Sequence, residues 1–303
     1  MLLKKSVSII MFLLILLTFC SCKDKEEIRR EKAEKAEPLF NKGDIAFNQQ
    51  KYEEALVEFD KALEIYPEFP QAWDGKGRVF EKQGKNEEAI KCYDKAVEYQ
   101  SNFTKAFDNR GRLLNNMKKY DLAIESFNKA LSIAPDYVPS LVNKAWALQA
   151  TGKYKEAKEC IDKALKADPS MDTALYIMGV SFFNQGKYKE AISYYDKTLK
   201  IKPRNIDAWN GKGMALANMG KQAEAIKCFD EALKLDPKFT TALNNKAFTL
   251  GTMEKYKEAI KYYDKVLEID KGNSFARQYK EATLKTLEGL KKQKKGKDTS
   301  EKK

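Results

Sequence analysis

Between Ala36 and Asn273 the apolar residues fall into short amphipathic stretches, and the stretches come in pairs. "KYKEAI" at 187–192 and "EKYKEAI" at 254–260 open two of them with apolar side chains at helical spacing. A period of 34 residues divides the region into seven gapless blocks, which begin at Ala36, Pro70, Thr104, Val138, Asp172, Ile206 and Thr240. The eighth residue of a block is always tiny: Gly43, Gly77, Gly111, Ala145, Gly179, Gly213 and Ala247. The twentieth is always alanine, from Ala55 to Ala259. The twenty-fourth is aromatic or isoleucine: Phe59, Tyr93, Phe127, Ile161, Tyr195, Phe229 and Tyr263.

This pattern predicts two helices per block that approach closely at the small positions, because a larger side chain there would force their axes apart. Gly84, Gly152, Gly186 and Gly220 fall between the paired helices, where a left-handed residue is easiest for glycine. Pro67, Pro135, Pro169, Pro203 and Pro237 close five second helices. No block can bury its apolar face alone, so stability comes from stacking.

The seven-fold pattern resembles the tetratricopeptide (TPR) repeat. The resemblance implies an all-α fold, a right-handed superhelical α-solenoid of seven 34-residue hairpins over 36–69, 70–103, 104–137, 138–171, 172–205, 206–239 and 240–273. Residues 274–290 read as one more amphipathic helix, whose Tyr279, Leu284 and Leu287 would cap the last repeat. The tail 291–303 holds seven lysines against Asp298 and Glu301 and reads as disordered.

Ahead of the repeats, Lys4 and Lys5 precede an apolar run from Val7 to Phe19, too short for a comfortable membrane span and proportioned like a secretory signal. The stretch "FCSC" that follows resembles a bacterial lipobox, with a signal peptide over 1–21, Ser21 before the cut and Cys22 as the lipidated residue; Phe19 stands where leucine is usual. The alternatives are a metal or redox pair with Cys20, for which nothing nearby supplies other ligands, and an uncleaved membrane anchor. Residues 22–35 would then be a charged linker. The formal charge of +12 is concentrated at the ends, and about +5 remains over the rest, which is mild for a nucleic-acid groove.

The chemistry of a catalyst is missing from the sequence. Histidine is absent, which removes the commonest general base and metal ligand. "GKG" at Gly75–Gly77 and Gly211–Gly213 lies inside first helices rather than in a phosphate loop. Cys92, Cys160 and Cys228 each occupy block position 23, 68 residues apart, too far for disulfides. No enzyme activity, cofactor or metal site is expected.

In TPR proteins that bind peptides, first helices line a concave groove through block positions 2, 5, 6, 9, 12 and 13. The resemblance places Asp74, Arg78, Lys105, Asn109, Arg112, Asn116, Asn143, Trp146, Tyr176, Phe183, Asn210 and Met214 there. Asparagine can bond a peptide backbone both ways, arginine can grip a carboxylate, and the aromatics can anchor. The competing reading is that Arg78 and Arg112 pair with Asp74 and Asp108 and that the aromatics pack between helices. The expectation is a lipid-anchored scaffold of the bacterial cell envelope, periplasmic or surface-exposed, that holds a protein or peptide and no nucleic acid. The alternative is an adaptor that grips anionic lipid or cell-wall polymer through the lysine tail. A Cys22→Ala variant is expected to lose incorporation of labelled fatty acid, and retained labelling would remove the anchor.

Overall fold

Every second helix is preceded by a lysine, and every such lysine follows a residue with positive φ. Block position 15 is Gly84, Gly152, Gly186 and Gly220 at φ of 73–76°. The three remaining blocks put Gln50, Lys118 and Glu254 in the same left-handed conformation, at φ of 62°, 59° and 60°. A side chain there costs about 1–2 kcal/mol, so the turn is imposed by the packing of the helices on either side.

A computed structural model describes the backbone of residues 2–300 and the side chains of 25–293. It contains α1 (Leu2–Asn48), α2 (Tyr52–Ile65), α3 (Pro70–Lys82), α4 (Asn86–Tyr99), α5 (Thr104–Asn116), α6 (Tyr120–Ile133), α7 (Val138–Ala150) and α8 (Tyr154–Ala167). Then come α9 (Asp172–Asn184), α10 (Tyr188–Ile201), α11 (Ile206–Asn218), α12 (Gln222–Leu235), α13 (Thr240–Thr252), α14 (Tyr256–Ile269) and α15 (Ser274–Ser300). From α3 to α14 the first helices have 13 residues and the second 14, as in α3 and α4. The fold is an α-solenoid of TPR hairpins followed by a C-terminal helix, in two compact units, Met1–Ala147 and Leu148–Lys303.

Within each unit the same contact joins the two helices of a hairpin. A Cβ built on Gly77 would stand 2.6 Å from the Tyr93 ring, one on Gly111 2.6 Å from Phe127, one on Gly179 2.7 Å from Tyr195, and one on Gly213 2.6 Å from Phe229. Each ring therefore lies flat against a bare backbone. Tyr93, Phe127 and Phe229 are fully buried, and Tyr195 is nearly so. Burying such a side chain contributes about 1.5–3 kcal/mol. The "GKG" glycines have separate uses. Gly77 and Gly213 admit the ring of their own repeat, whereas Gly75 and Gly211 admit Phe59 and Tyr195 of the repeat before.

The ends differ from the composition-based reading. The charged stretch 25–35 is helical and continuous with the first helix of repeat one, so α1 runs through it to Asn48 with Pro38 inside. Proline suits the opening turn of a repeat helix, and here it marks where that helix would otherwise begin. At the other end α15 continues in helical form to Ser300, beyond the predicted end of the amphipathic segment; lysine and glutamine are good helix formers. Ala276 and Tyr279 of α15 join the last apolar cluster with Leu243, Tyr263 and Val266. The side chain of Cys22, on which the lipid anchor depends, and the side chains from 294 onward lie outside those described. Among the described residues no helix is long and apolar enough to cross a membrane.

Two glycines should respond oppositely to the same substitution. Gly213→Ala gains helix propensity but drives a methyl into Phe229, for a net loss of about 1–2 kcal/mol. Gly289→Ala, with nothing within 4 Å of the new Cβ, should gain about 0.5–1 kcal/mol. Urea unfolding followed by circular dichroism distinguishes the two signs.

Candidate functional site

Polar side chains on the first helices are shared between two tasks, holding adjacent repeats in register and facing the groove. The first task takes most of the charged ones. In the N-terminal unit Asn109 donates from Nδ2 to Asp74 at 2.8 Å, and Asn143 donates to Asp108 at 3.3 Å. In the C-terminal unit Asn245 donates to Asn210 at 2.9 Å. All three bonds run from block position 6 back to position 5 of the preceding repeat. A second set runs from position 12 forward: Asn115 donates to the Asn143 carbonyl at 2.9 Å, and Gln149 donates to the Ile177 carbonyl at 2.7 Å. A third joins a cation at position 7 to the acid at position 25 of the repeat before. Its members are Lys76–Asp60, Arg110–Asp94, Lys212–Asp196, Lys246–Asp230 and Lys280–Asp264, at 2.5–2.7 Å.

The arginines of the groove are likewise engaged. Arg112 forks onto Glu81 at 2.6 and 3.0 Å, and Tyr93 donates to the same carboxylate at 3.1 Å. Arg78 reaches Asp44 at 2.5 Å and Asp74 at 3.5 Å, with its guanidinium 4.6 Å from the centre of the Phe47 ring. Their carboxylate partners are thus Asp44, Asp74 and Glu81. Asp108 accepts instead from Ser140 and Asn143. Glu81 was not singled out from sequence, although it sits at a groove position; its role depends on which repeat its side chain crosses to. Asp74 is 2% exposed and Asp108 is 7%. Burial pushes both carboxyls above the usual carboxylate range, despite hydrogen bonds that oppose the shift.

What stays open in the N-terminal unit is Lys105, Asn116 and Trp146, the last 43% exposed. In the C-terminal unit Tyr176 is half-buried 5.9 Å from Tyr195, and burial, with Asp207 adding to it, raises its hydroxyl to about 12. Phe183 packs 5.5 Å from Tyr188. Met214 lines a cavity of about 290 Å³ between α11 and α13, with Ala217, Asn218, Phe248 and Thr252 around it and Phe229 at its floor. No lining residue of this cavity carries a charge. It exists because position 12 is Ala217 here, where the five earlier repeats have Phe47, Glu81, Asn115, Gln149 and Phe183. Phe248 is 44% exposed and meets Tyr279 edge-on at 5.3 Å. That small position was visible in the sequence; the opening beside it required the packed neighbours.

Cys92, Cys160 and Cys228 are all buried. Burial raises the Cys92 and Cys228 thiols to about 11, so both remain protonated at neutral pH. Among the described residues no cluster of His, Cys, Asp or Glu could hold a metal ion.

A stack of helical hairpins is the architecture of a protein-binding scaffold, whose curvature gives an extended binding surface. Tetratricopeptide repeat models match residues 36–69, 70–103, 206–239 and 240–273, and the TPR domain model of cytochrome c-type biogenesis protein H matches 110–208. The chain belongs to the tetratricopeptide repeat family. No curated protein sequence matches it. Among solved structures it is similar to a tetratricopeptide repeat protein from Parabacteroides merdae ATCC 43184, with TM-score 0.70 and 16% identity over 83% of this chain and 99% of that one. PilW, a widely conserved type IV pilus biogenesis factor, aligns with TM-score 0.63 and 16% identity over 68% of this chain and 96% of that one. Pseudomonas aeruginosa pilF aligns with TM-score 0.62 and 20% identity over 72% and 99%. At these identities the likeness is one of fold.

The raised carboxyls have a signed consequence. An acid whose folded pKa lies above its unfolded value, near 3.9 for Asp, contributes most below that value, and the contribution is lost as pH rises through the folded pKa. Asp74→Asn keeps an acceptor for Asn109 and removes the buried charge. Its urea midpoint relative to the unsubstituted protein should therefore shift in favour of the variant as pH rises from 4 to 7. A pH-independent difference would place the Asp74 carboxyl in the ordinary range.

Proposed function

We propose that this protein is a non-enzymatic scaffold of the bacterial cell envelope, anchored by lipid at Cys22, which holds a protein or peptide partner along its concave groove. The single observation that carries the groove reading is the division of labour among first-helix side chains. Most of the charged ones are spent on neighbouring repeats, while Trp146 and Phe248 stand more than two-fifths exposed at groove positions. Aromatic side chains with that much open surface are the type that anchors a partner. Asn116, Asn218 and Lys105 flank them as donors and acceptors. Among the twelve groove residues named from sequence, Arg78, Arg112, Asp74, Asn109, Asn143 and Asn210 act in this reading as struts that shape the groove, and Trp146, Tyr176, Phe183 and Met214 as its contact surface.

The envelope setting is supported by the lipobox-like "FCSC" and by the kind of proteins that share the fold. PilW is a pilus biogenesis factor, and the matching family model belongs to a cytochrome c biogenesis protein. Two acyl chains or more on one cysteine provide the stable attachment that a single chain does not.

Photo-crosslinking in the native cell tests the groove. A photoreactive residue at Phe248 should trap a partner protein, whereas one at Lys227, on a second helix of the same unit, should not. Crosslinks at Lys227 alone would move the binding surface to the opposite face.

A further inference from the structure

The first repeat exposes a face that every later repeat covers. Block position 10 is Val79, Leu113, Ala147, Ser181, Ala215 and Thr249 in repeats two to seven, and none is more than 3% exposed. In α1 the same position is Ile45, at 58%. Position 3 is fully buried in every first helix from Ala72 in α3 to Ala276 in α15, but in α1 it is the exposed Pro38. Asn41 and Lys42, at positions 6 and 7, are also exposed, so a stripe at i, i+3, i+4 and i+7 lies open along α1. Val57 of α2 adjoins Lys42 of the stripe across a cavity also lined by Glu53, Glu54 and Glu58. Val57 is 52% exposed at a block position where the other six repeats carry lysine, glutamate or serine.

The rest of the array shows what such a face receives. At the junction of repeats one and two, the Phe59 ring of α2 lies against Gly75 and in one cluster with Val79, positions 6 and 10 of the next repeat. Tyr195 of α10 meets Gly211 in the same way. The residue directly after each ring is Asp60 or Asp196, and it reaches the position 7 cation, Lys76 or Lys212. Lys42 stands at that position with no preceding repeat to supply the acid.

We infer that the N-terminal end of the array is a second docking surface, for one amphipathic helix of a partner protein in which a large apolar residue is followed directly by an aspartate or glutamate. The apolar residue seats on the stripe beside Ile45 and the acid meets Lys42. A second copy docking head to tail does not supply this helix, because the last second helix, α14, is already covered by α15. The surface lies at the end of the array and, apart from Asn41 at position 6, uses none of the groove positions, so it adds a site to the scaffold.

The probe is a lactam-bridged 14-residue peptide with the sequence of α10, YKEAISYYDKTLKI, which carries Tyr195 and Asp196. The bridge is needed because isolated helices of this length are marginal in water. Labelled with a fluorophore and titrated with the full chain, it should bind saturably. Ile45→Glu or Lys42→Glu should weaken binding at least about tenfold, Lys261→Glu should leave it unchanged, and Asp196→Lys in the peptide should restore binding to the Lys42→Glu protein. Absence of binding, or binding indifferent to Ile45→Glu, overturns the inference. So does a dimer of the protein that Ile45→Glu converts to monomer, since it would assign the face to a second copy.

Discussion

Five of the seven hairpins close on an aromatic ring resting on a glycine, while repeats four and seven carry Ala145 and Ile161, and Ala247 and Tyr263, at the same positions. The Tyr93, Phe127, Tyr195 and Phe229 rings occupy space that a single methyl on the facing helix would fill. That contact sets how closely two helices of a hairpin approach, and the alanine at position 20 keeps the approach clear on the other side. Once the separation is set, helix lengths follow, and the left-handed residue at position 15 is forced even where it is glutamine, lysine or glutamate. Tyr195 also reaches forward to Gly211, and Phe59, which rests on Gly43, reaches Gly75, so a single side chain joins its own hairpin and the next.

Stacking then decides the fate of the polar side chains. A buried carboxylate such as Asp74 is tolerated because an asparagine one repeat on donates to it and an arginine stands beside it. These bonds fix the register of neighbouring repeats and withdraw charge from the face proposed to meet a partner. In repeats four and five the pattern lapses. Position 5 is Val142 and Tyr176, and position 7 of repeat five is Met178 rather than a cation. The side chains at those positions are more apolar there.

The helices were legible because spacing of small and aromatic residues is a local signal repeated seven times, which errors in one block cannot hide. Arg78 does meet its near acid Asp74 at 3.5 Å, but its shorter contact to Asp44 and the partner of Arg112 were not legible in the same way. Asp74 and Asp108 were the near acids in sequence, yet Arg112 forks onto Glu81, 31 residues away, because helix stacking brings position 12 of one repeat beside position 9 of the next. The cavity beside Met214 had a sequence trace in Ala217, but a missing side chain becomes a cavity only when no neighbour moves in.

The sequence by itself determined the repeat, its period, the paired helices and the absence of histidine chemistry, since these rest on residue type and spacing along one chain. Only the tertiary structure decided which polar groups are struts and which are free, and that α1 begins the array with an open stripe. Those properties belong to pairs of repeats, and the partner of a side chain is chosen by distances across a junction that no single stretch of sequence contains.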